Sequence, residues 1–345
     1  MKAYMKSIVN IIKKNKELWN LYSCKEEYDP SKTDRHGRFL YRFSENNNIL
    51  KPKISQYLIK KGLRVQWPDN HKFAVCLTHD IDSIYPSWRY RYYTSLKLIS
   101  NLKFKKSRQR FFKKENPFWN FKEISDLERK YNATSSFYIR VDEENYKISD
   151  LKQELKYLTD MGHEIGLHGS YNAFKDFDVI LKEKKKLEGI SGKKIIGYRN
   201  HFLRFIVPNT WELLQKGGFK YDTTFGYADM VGFRNCMCHP FKPYNLEKDK
   251  LIDIWEIPLS IMDGTLNQYM KLDVDNSWKY CKEIIDKVKK LNGVITVLWH
   301  NTFFDEVYRK DWSKLYEKLL IYSSEKGGWL TSGEKIYKYW ERVMK

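Results

Sequence analysis

The sequence predicts an α/β fold in which parallel strands alternate with helices. Seven segments rich in β-branched, aromatic and other apolar residues are separated mostly by amphipathic helical segments. Such alternation gives parallel strands joined by right-handed crossovers, and seven or eight such units can close into a barrel. The 345 residues include 42% hydrophobic and 16% aromatic side chains, enough to bury a sizeable core.

The chain divides into a basic, partly helical N-terminal extension over 1–66 and a barrel over 67–345, with Trp67-Pro68 breaking structure between them. A basic amphipathic helix is expected near the start, from Ile8, Ile11, Ile12 and Leu18 with Lys13, Lys14 and Lys16. We expect its apolar face to dock on the body of the protein. Contact with a membrane surface is the alternative.

The expected strands cover residues 73–77, 133–141, 164–167, 194–198, 219–223, 251–259 and 294–299. Helices are expected over 149–161, 176–187, 208–216, 277–291, 312–323 and 332–344. Their proposed end signals are an N-cap at Ser149, stops at Gly162 and Gly189, and Pro208 and Gly217-Gly218 flanking the third helix. The basic and aromatic stretch over 103–114 is expected to be a solvated helix face or an insertion loop, with phosphate contact as the alternative.

Polar side chains follow four of the predicted strands. The first strand runs into Asp80 and Asp82, the third ends in His168, the fourth ends in Arg199-Asn200-His201, and the last ends in His300. Carboxyl ends of parallel barrel strands converge on one face, and that face carries the chemistry. Because strand side chains alternate, the two aspartates point to the same side and His79 points away from them. The aspartates alone suit a polar turn as well as a metal ligand with a general base. The coincidence of polar residues at four strand ends favours a functional site.

The remaining motifs have mostly structural interpretations. His163 and His168 are one residue too far apart for the zinc-binding HExxH pattern and lie on a strand, so His163 is expected to be buried and hydrogen-bonded. Asp222 is expected to contact substrate or cap a loop. Long segments over 232–244 and 262–266 are expected to shape the rim of the site, with no chemical role assigned.

Composition limits the function classes. The net charge of +20 favours anionic partners, but no nucleic-acid motif is present, so no specific nucleic-acid partner is expected. Five cysteines form no CxxC pair, and Cys236 and Cys238 are too close for a usual zinc knuckle, so reduced thiols are expected. The N-terminus shows no apolar signal region and no 18-residue apolar span occurs, so a cytoplasmic location is expected.

Four motifs, in this order, resemble those of the polysaccharide deacetylase superfamily (NodB-homology, carbohydrate esterase family 4). They are FAVCLTHDID over 73–82, GHEIGLHGS over 162–170, YRNHFLR over 198–204 and VLWHN over 297–301. The resemblance covers roughly residues 70–330, in a divergent branch associated with surface-glycan gene clusters. It implies an incomplete, distorted seven-stranded (β/α) barrel, which agrees with the strand count.

The resemblance also implies residue roles. Asp80 matches the general base, Arg199 the arginine that orients it, and His300 the general acid. Asp82 and His168 match metal ligands. The second metal histidine of the family falls at Asn172, a weak ligand for zinc, and we hypothesise that His201 replaces it as the third ligand.

The expected activity is therefore a metal-dependent deacetylase, with Zn²⁺ as the expected divalent metal. It would hydrolyse an N-acetyl or O-acetyl group on a sugar of a cytoplasmic glycan precursor or polysaccharide, lipid-linked or nucleotide-linked. Two alternatives stay open. One is a related C–N hydrolase such as a sugar deformylase, and the other is a catalytically reduced glycan-binding or membrane-surface scaffold.

Overall fold

A parallel sheet of nine strands forms the centre of the protein in the computed structural model, which describes residues 2–344. In the order β8-β5-β4-β3-β2-β1-β10-β9 it curls into an incomplete barrel, and β11 pairs with β1. All of its pairings are parallel, which confirms the predicted α/β class. The strands, including the separate β6–β7 hairpin, are β1 (Phe73–Ile81), β2 (Ser136–Ile139), β3 (Glu164–Gly169), β4 (Gly197–Asn200), β5 (Tyr221–Asp222), β6 (Tyr244–Asn245), β7 (Lys250–Leu251), β8 (Trp255–Glu256), β9 (Leu259–Met262), β10 (Val294–Leu298) and β11 (Gly328–Thr331).

Helices cover the sheet and form most of the N-terminal segment. Across residues 2–344 the α-helices are α1 (Lys2–Lys13), α2 (Lys16–Tyr22), α3 (Lys53–Lys60), α4 (Trp88–Ser100), α5 (Phe104–Phe111), α6 (Phe121–Arg129), α7 (Lys152–Asp160), α8 (Phe177–Ser191), α9 (Asn209–Lys216), α10 (Val274–Lys290), α11 (Trp312–Glu325) and α12 (Gly333–Val343). No helix among these residues is long and apolar enough to cross a membrane.

The first strand, β1, is the most central. All nine of its residues are buried. One edge pairs with β10, while the other edge pairs with β11 along its first half and with β2 along its second half. Its carboxyl end therefore lies between β2 and β10. Asp80 and Asp82 are thus close to side chains that follow strands on both sides of β1.

The prediction of one strand over 251–259 is wrong. Leu251 pairs with Tyr244 in the antiparallel β6–β7 hairpin. Trp255–Glu256 and Leu259–Met262 are separate strands of the main sheet. Pro258 separates those two strands because it has no backbone N–H to donate to a ladder. The segment over 251–259 is apolar because most of its side chains are buried, both in the strands and in the residues between them.

Several helix ends also differ from the prediction. Residues 148–151 form a 3₁₀ turn, so α7 begins at Lys152 and Ser149 does not cap it. Helix α10 begins at Val274, three residues before the predicted start. Helix α8 runs through Gly189 to Ser191 and is capped by Gly192, whose φ of 64° suits glycine. Its N-cap is Asp176, whose carboxylate accepts hydrogen bonds from two backbone amides of the first turn.

The N-terminal extension packs into the same core as the barrel. Ile8, Val9, Ile12 and Leu18 are buried in one cluster with side chains of β2, β3 and α9. Tyr22 donates a hydrogen bond to the Lys242 carbonyl oxygen at 2.7 Å. From residue 7 onward, the apolar face of α1 is thus covered by the protein itself. A division between residues 66 and 67 stays a prediction.

Candidate active site

The polar residues predicted at the strand ends meet in one pocket. Asp80, Asp82, His168, His201 and His300 all line it, and its volume is about 180 Å³. They come from the carboxyl ends of β1, β3, β4 and β10 and from the residues that follow. The curled sheet brings together side chains that lie more than 200 residues apart in sequence.

Asp82, His168 and His201 form a tight triangle of possible metal ligands. Asp82 Oδ1 lies 3.2 Å from His168 Nε2 and 3.1 Å from His201 Nδ1, and the two ring nitrogens are 3.2 Å apart. Ligands about 2.1 Å from a tetrahedral zinc ion are separated by roughly 3.4 Å, so the triangle is close to the size a divalent metal requires. Asp82 Oδ1 is buried and no donor is aligned with it for a hydrogen bond. The three side chains therefore fit a zinc-class ion.

The neighbours of His168 and His201 favour different ring tautomers. His168 Nδ1 lies 3.1 Å from the Arg199 carbonyl oxygen, which can only accept, so Nδ1 carries the proton and Nε2 presents a lone pair to the triangle. His201 Nε2 lies 3.4 Å from the Arg140 guanidinium. Metal ligation through His201 Nδ1 requires the proton on Nε2, so Arg140 opposes the ligating tautomer.

Asn172, four residues after His168 and the position that the resemblance implied for a second metal histidine, is engaged elsewhere. Its side-chain oxygen accepts a hydrogen bond from Arg204 Nη1 at 2.9 Å. The Arg204 guanidinium in turn lies over the rings of Tyr171 and Phe174. The described structure thus places His201, and not Asn172, beside Asp82 and His168.

Asp80 lies between the triangle and a buried arginine. Its Oδ2 is 3.6 Å from His168 Nε2, and its Oδ1 is 3.9 Å from Arg199 Nε. Arg199 donates its hydrogen bonds to the Thr223 and Thr78 hydroxyls at 3.0 and 3.1 Å, and its guanidinium lies over the Tyr138 ring. Arg199 and Asp80 therefore form an ion pair that is too long for a hydrogen bond.

His300 is held by a carboxylate that sequence reasoning missed. Asp263 Oδ1 accepts from His300 Nδ1 at 2.7 Å, and Asp263 Oδ2 accepts from the His300 backbone N–H at 2.7 Å. His300 Nε2 faces the site, 3.7 Å from Asp82 Oδ2. Asp263 directly follows β9, so it carries the same strand-end signal as the residues that were singled out.

Charge within the site shifts several pKa values. Burial lowers the pKa of His300, but the charge and hydrogen bond of Asp263, with the Asp82 and Asp80 carboxylates, outweigh it and raise the pKa to about 10. Burial opposes ionisation of Asp82, yet the two adjacent imidazoles hold its pKa well below its usual range. Burial also lowers the pKa of His201, against the pull of Asp82. The site thus favours ionised Asp82 with protonated His300.

One wall of the pocket comes from the N-terminal extension. Arg38 lines the pocket, forms an ion pair with Asp34 at 2.7 Å and donates to the Phe202 carbonyl and the Tyr269 hydroxyl. Tyr269 ends a π-helical turn over Thr265–Tyr269, which begins within the 262–266 segment expected to shape the rim and extends three residues beyond it. The contribution of Arg38 was not anticipated because no local pattern marks it.

Three other polar residues considered from the sequence lie outside the pocket. His79 contacts the Trp299 carbonyl oxygen and Glu128, on the opposite side of β1 from Asp80. His163 is buried and hydrogen-bonded to Ser125 and Ser135, as predicted. Asp222 caps a loop by accepting from the Thr224 amide and hydroxyl.

No family model matches the sequence. A peptidoglycan deacetylase of Helicobacter pylori is 29% identical over 114 residues, which cover 31% of this chain and 37% of the relative. The match thus spans little more than a third of the length of that curated relative.

Solved structures show the fold more completely. A polysaccharide deacetylase candidate from Mycobacterium smegmatis superposes with a TM-score of 0.56 at 18% identity, covering 81% of this chain and 93% of that one. A second candidate, from Pseudomonas aeruginosa, gives 0.55 at 15% identity over 80% and 93%. Puue allantoinase gives 0.57 at 15% identity over 82% and 95%. The resemblance read from the four motifs is confirmed at the level of architecture, and this chain has the fold of the polysaccharide deacetylases.

Proposed function

We propose that this protein is a metal-dependent deacetylase that hydrolyses an N-acetyl group, or an O-acetyl group, on a sugar. The observation that supports this most strongly is the arrangement of the pocket. A triangle of two imidazoles and a carboxylate lies beside a second carboxylate, Asp80, and beside an imidazole, His300, that is paired with Asp263. Metal-assisted amide hydrolysis uses a metal site, a general base and a general acid, and the pocket offers side chains for all three.

Asp82, His168 and His201 would hold the metal, and the donor set suits Zn²⁺ with positions left open. When bound, such an ion polarises the acyl carbonyl and lowers the pKa of a coordinated water. The side chains of the protein contribute the remaining parts of the reaction. The Arg199 carbonyl oxygen accepts a hydrogen bond from His168 Nδ1, which fixes the orientation of the ring. Nε2 therefore carries no proton and can bind the metal.

Asp80 acts as the general base. It is almost fully buried and lies next to the triangle, and its Oδ1 has no hydrogen-bond partner among the described residues. Its Oδ2 faces the triangle, 3.6 Å from His168 Nε2, and is the oxygen placed to accept a proton from the attacking water. Arg199 Nε lies 3.9 Å from Asp80 Oδ1, on the side away from the triangle, and orients the carboxylate.

His300 acts as the general acid. Its raised pKa keeps the imidazole protonated at neutral pH, and Nε2 is the nitrogen that points into the pocket. It donates this proton to the departing sugar amine as the acyl bond breaks. Asp263 fixes the ring through Nδ1 and stabilises the imidazolium, so it is a positioning residue.

The substrate we propose is a sugar of a glycan precursor linked to a lipid or a nucleotide. Both linkages carry phosphate, which suits the net charge of +20 and the arginine in the pocket wall. A lipid-linked substrate would bring the protein to a membrane surface. The cytoplasmic location of the reaction stays a prediction from the sequence.

Acetate release tests this function. Zinc-loaded wild-type protein is offered a nucleotide-linked N-acetylhexosamine, a lipid-linked one, an N-acetylated oligosaccharide and an O-acetylated sugar. We expect acetate from at least one, and a loss of about 10² to 10⁴-fold in Asp80→Asn, because a positioned base contributes that much. Asp126→Asn, on the exposed face of α6, is the matched control. Acetate release from none of the four, or an undiminished rate in Asp80→Asn, would contradict the proposal.

A second candidate is a different C–N hydrolase, such as a sugar deformylase. The small volume of the pocket, about 180 Å³, favours a compact acyl group, and an allantoinase shares the fold. The same base and acid serve both reactions. Formate release from a formylated sugar, with no acetate from its acetylated counterpart, would assign the deformylase.

A further inference from the structure

Residues 85–114, which we name the α4–α5 hairpin, differ in composition from the rest of the surface. They contain ten lysine and arginine residues, eight aromatic residues and no aspartate or glutamate. Helix α4 and helix α5 make up most of the hairpin. A solvated helix face would be expected to mix both signs of charge and to carry few large apolar side chains.

The outer surface of the hairpin is strongly apolar. Ten of the seventeen exposed large hydrophobic side chains among the described residues belong to it. Trp88 is 73% exposed and Leu102 is 78% exposed. The others are Tyr85, Tyr92, Tyr93, Leu96, Ile99, Phe104, Phe111 and Phe112. An exposed apolar surface this concentrated marks an interaction site.

The hairpin is firmly attached to the body of the protein through its inner face. Ser95 and Ser107 each donate a hydrogen bond to the backbone carbonyl of the other, which joins the two helices. Buried Arg110 forms ion pairs with Asp305 at 2.7 Å and Glu115 at 2.8 Å, and the Tyr90 hydroxyl donates to Asp305. The polar groups of the inner face therefore have partners within the protein. These contacts hold the hairpin in place with its apolar outer face exposed to solvent.

Cations lie among these apolar side chains in two shallow grooves. Lys105, Arg108 and Lys114 line one of about 500 Å³, together with Phe112. Arg91, Lys113 and Tyr85 line another of about 440 Å³, together with Glu115, which is paired with Arg110. Each groove pairs basic donors with an aromatic edge, which suits an anionic headgroup phosphate above an apolar layer.

We propose that the α4–α5 hairpin docks the protein on the surface of a bilayer that contains anionic lipids. The ten cations of the hairpin far outnumber the single carboxylate beside them, Glu115, and complement the negative surface. Its Trp, Tyr, Phe and Leu side chains insert at the headgroup boundary. Nucleic acid would use the cations but would leave Leu96, Ile99 and Leu102 in water. Helix α1 is a poorer candidate because its apolar face is buried in the core.

The hairpin adjoins the candidate active site along the chain. It begins three residues after Asp82, and its partner Asp305 lies five residues after His300. Docking would therefore hold the site close to the lipid headgroups. The docking itself does not depend on the proposed hydrolysis, so an inactive variant is expected to bind as well as the wild type.

Vesicle co-sedimentation tests the proposal with the full-length chain. Vesicles of phosphatidylcholine alone are compared with vesicles that also contain phosphatidylglycerol. We expect binding to the anionic vesicles, weakened by added salt. The triple variants Trp88→Ser/Leu102→Ser/Phe112→Ser and Lys105→Ala/Arg108→Ala/Lys114→Ala should each reduce the partition coefficient by about tenfold or more.

The controls separate the hairpin from general charge. Lys279→Ala/Lys282→Ala/Lys290→Ala removes three exposed lysines from α10 and should change binding by less than about twofold. Asp80→Asn should bind as the wild type does. No binding to anionic vesicles, equal binding to neutral ones, or full binding by both hairpin variants would overturn the proposal. Retention of a DNA duplex without vesicle binding would also overturn it, in favour of nucleic acid.

Discussion

At the scale of single residues, the pair formed by His300 and Asp263 determines the pH range of the candidate site. Asp263 accepts both from the ring and from the backbone of His300. Because a neutral partner cannot stabilise the imidazolium, Asp263→Asn should lower the pKa of His300 from about 10 by at least one unit. A general acid works only while protonated, so the alkaline limb of the pH–rate profile should move to lower pH.

The measurement is the NMR titration of the His300 ring together with the pH dependence of kcat. Asp126→Asn serves as a control for the loss of one carboxylate on the surface. A titration midpoint in Asp263→Asn equal to that of the wild type would refute the positioning role of Asp263.

The sequence predicted the site residues that follow a recognisable apolar strand. It did not predict the residues that reach the pocket only through tertiary packing. Asp80 and His300 follow long apolar runs, and strand ends are visible in sequence. Asp263 falls in the 262–266 segment that was expected to shape the rim, but it received no chemical role because its pairing with His300 depends on how β9 and β10 lie side by side. Arg38 was passed over because its place in the pocket depends on how the extension packs.

At the scale of elements, glycines allow tyrosines of neighbouring strands to lie across the inside of the barrel. A Cβ on Gly166 would lie 2.5 Å from the Tyr138 ring, and one on Gly197 would lie 2.3 Å from the Tyr221 hydroxyl. Tyr138 also supports the Arg199 guanidinium. The small residues of β3 and β4 thus help to place a side chain of the candidate site.

Gly166→Ala should destabilise the protein by about 1–3 kcal/mol, because the buried Tyr138 ring must move. It should also reduce the rate of hydrolysis, since Arg199 loses its support. The free energy of unfolding in urea and kcat together test this. Gly189→Ala is the matched control: that glycine lies within α8 with no atom near its Cβ position, so alanine should stabilise the helix by about 0.5–1 kcal/mol. Equal effects of the two substitutions would contradict this account.

The order of the elements could be predicted because hydrophobic periodicity is local. The alternation of strands and helices was sufficient to assign the parallel sheet. Strand β11 (Gly328–Thr331) was missed because four residues between two helices carry too little pattern. The stretch over 251–259 was misassigned because buried loops and buried strands are equally apolar, and pairing depends on partners far away in sequence.

At the scale of the whole molecule, a buried carboxyl group links the sheet to the C-terminal helix. Glu164 of β3 accepts from the Ser136 hydroxyl at 2.5 Å, from the Tyr221 hydroxyl and from the backbone amide of Glu334 in α12. Burial raises its pKa from 4.5 to about 7, although these hydrogen bonds favour ionisation. The folded protein therefore keeps a proton here that the unfolded chain releases.

Stability should consequently fall as the pH rises from about 4.5 to about 7. Below this window both states hold the proton, and above it the folded state carries the full cost of a buried charge, about 3 kcal/mol. Glu164→Gln should remove this dependence, so its unfolding free energy should drop less than that of the wild type across the window. Urea unfolding at several pH values measures the difference, with the exposed Glu325→Gln as control. Parallel curves for wild type and Glu164→Gln would contradict the assignment.

The measurement that tests the central claim most directly is metal stoichiometry. Elemental analysis is carried out on protein purified without chelators, for the wild type, His201→Ala and Asn172→Ala. Asp82, His168 and His201 form the triangle, so the wild type and Asn172→Ala should retain one equivalent of a zinc-class ion and His201→Ala should lose it. A wild type that takes up no metal after loading, or loss of the metal in Asn172→Ala alone, would contradict this account.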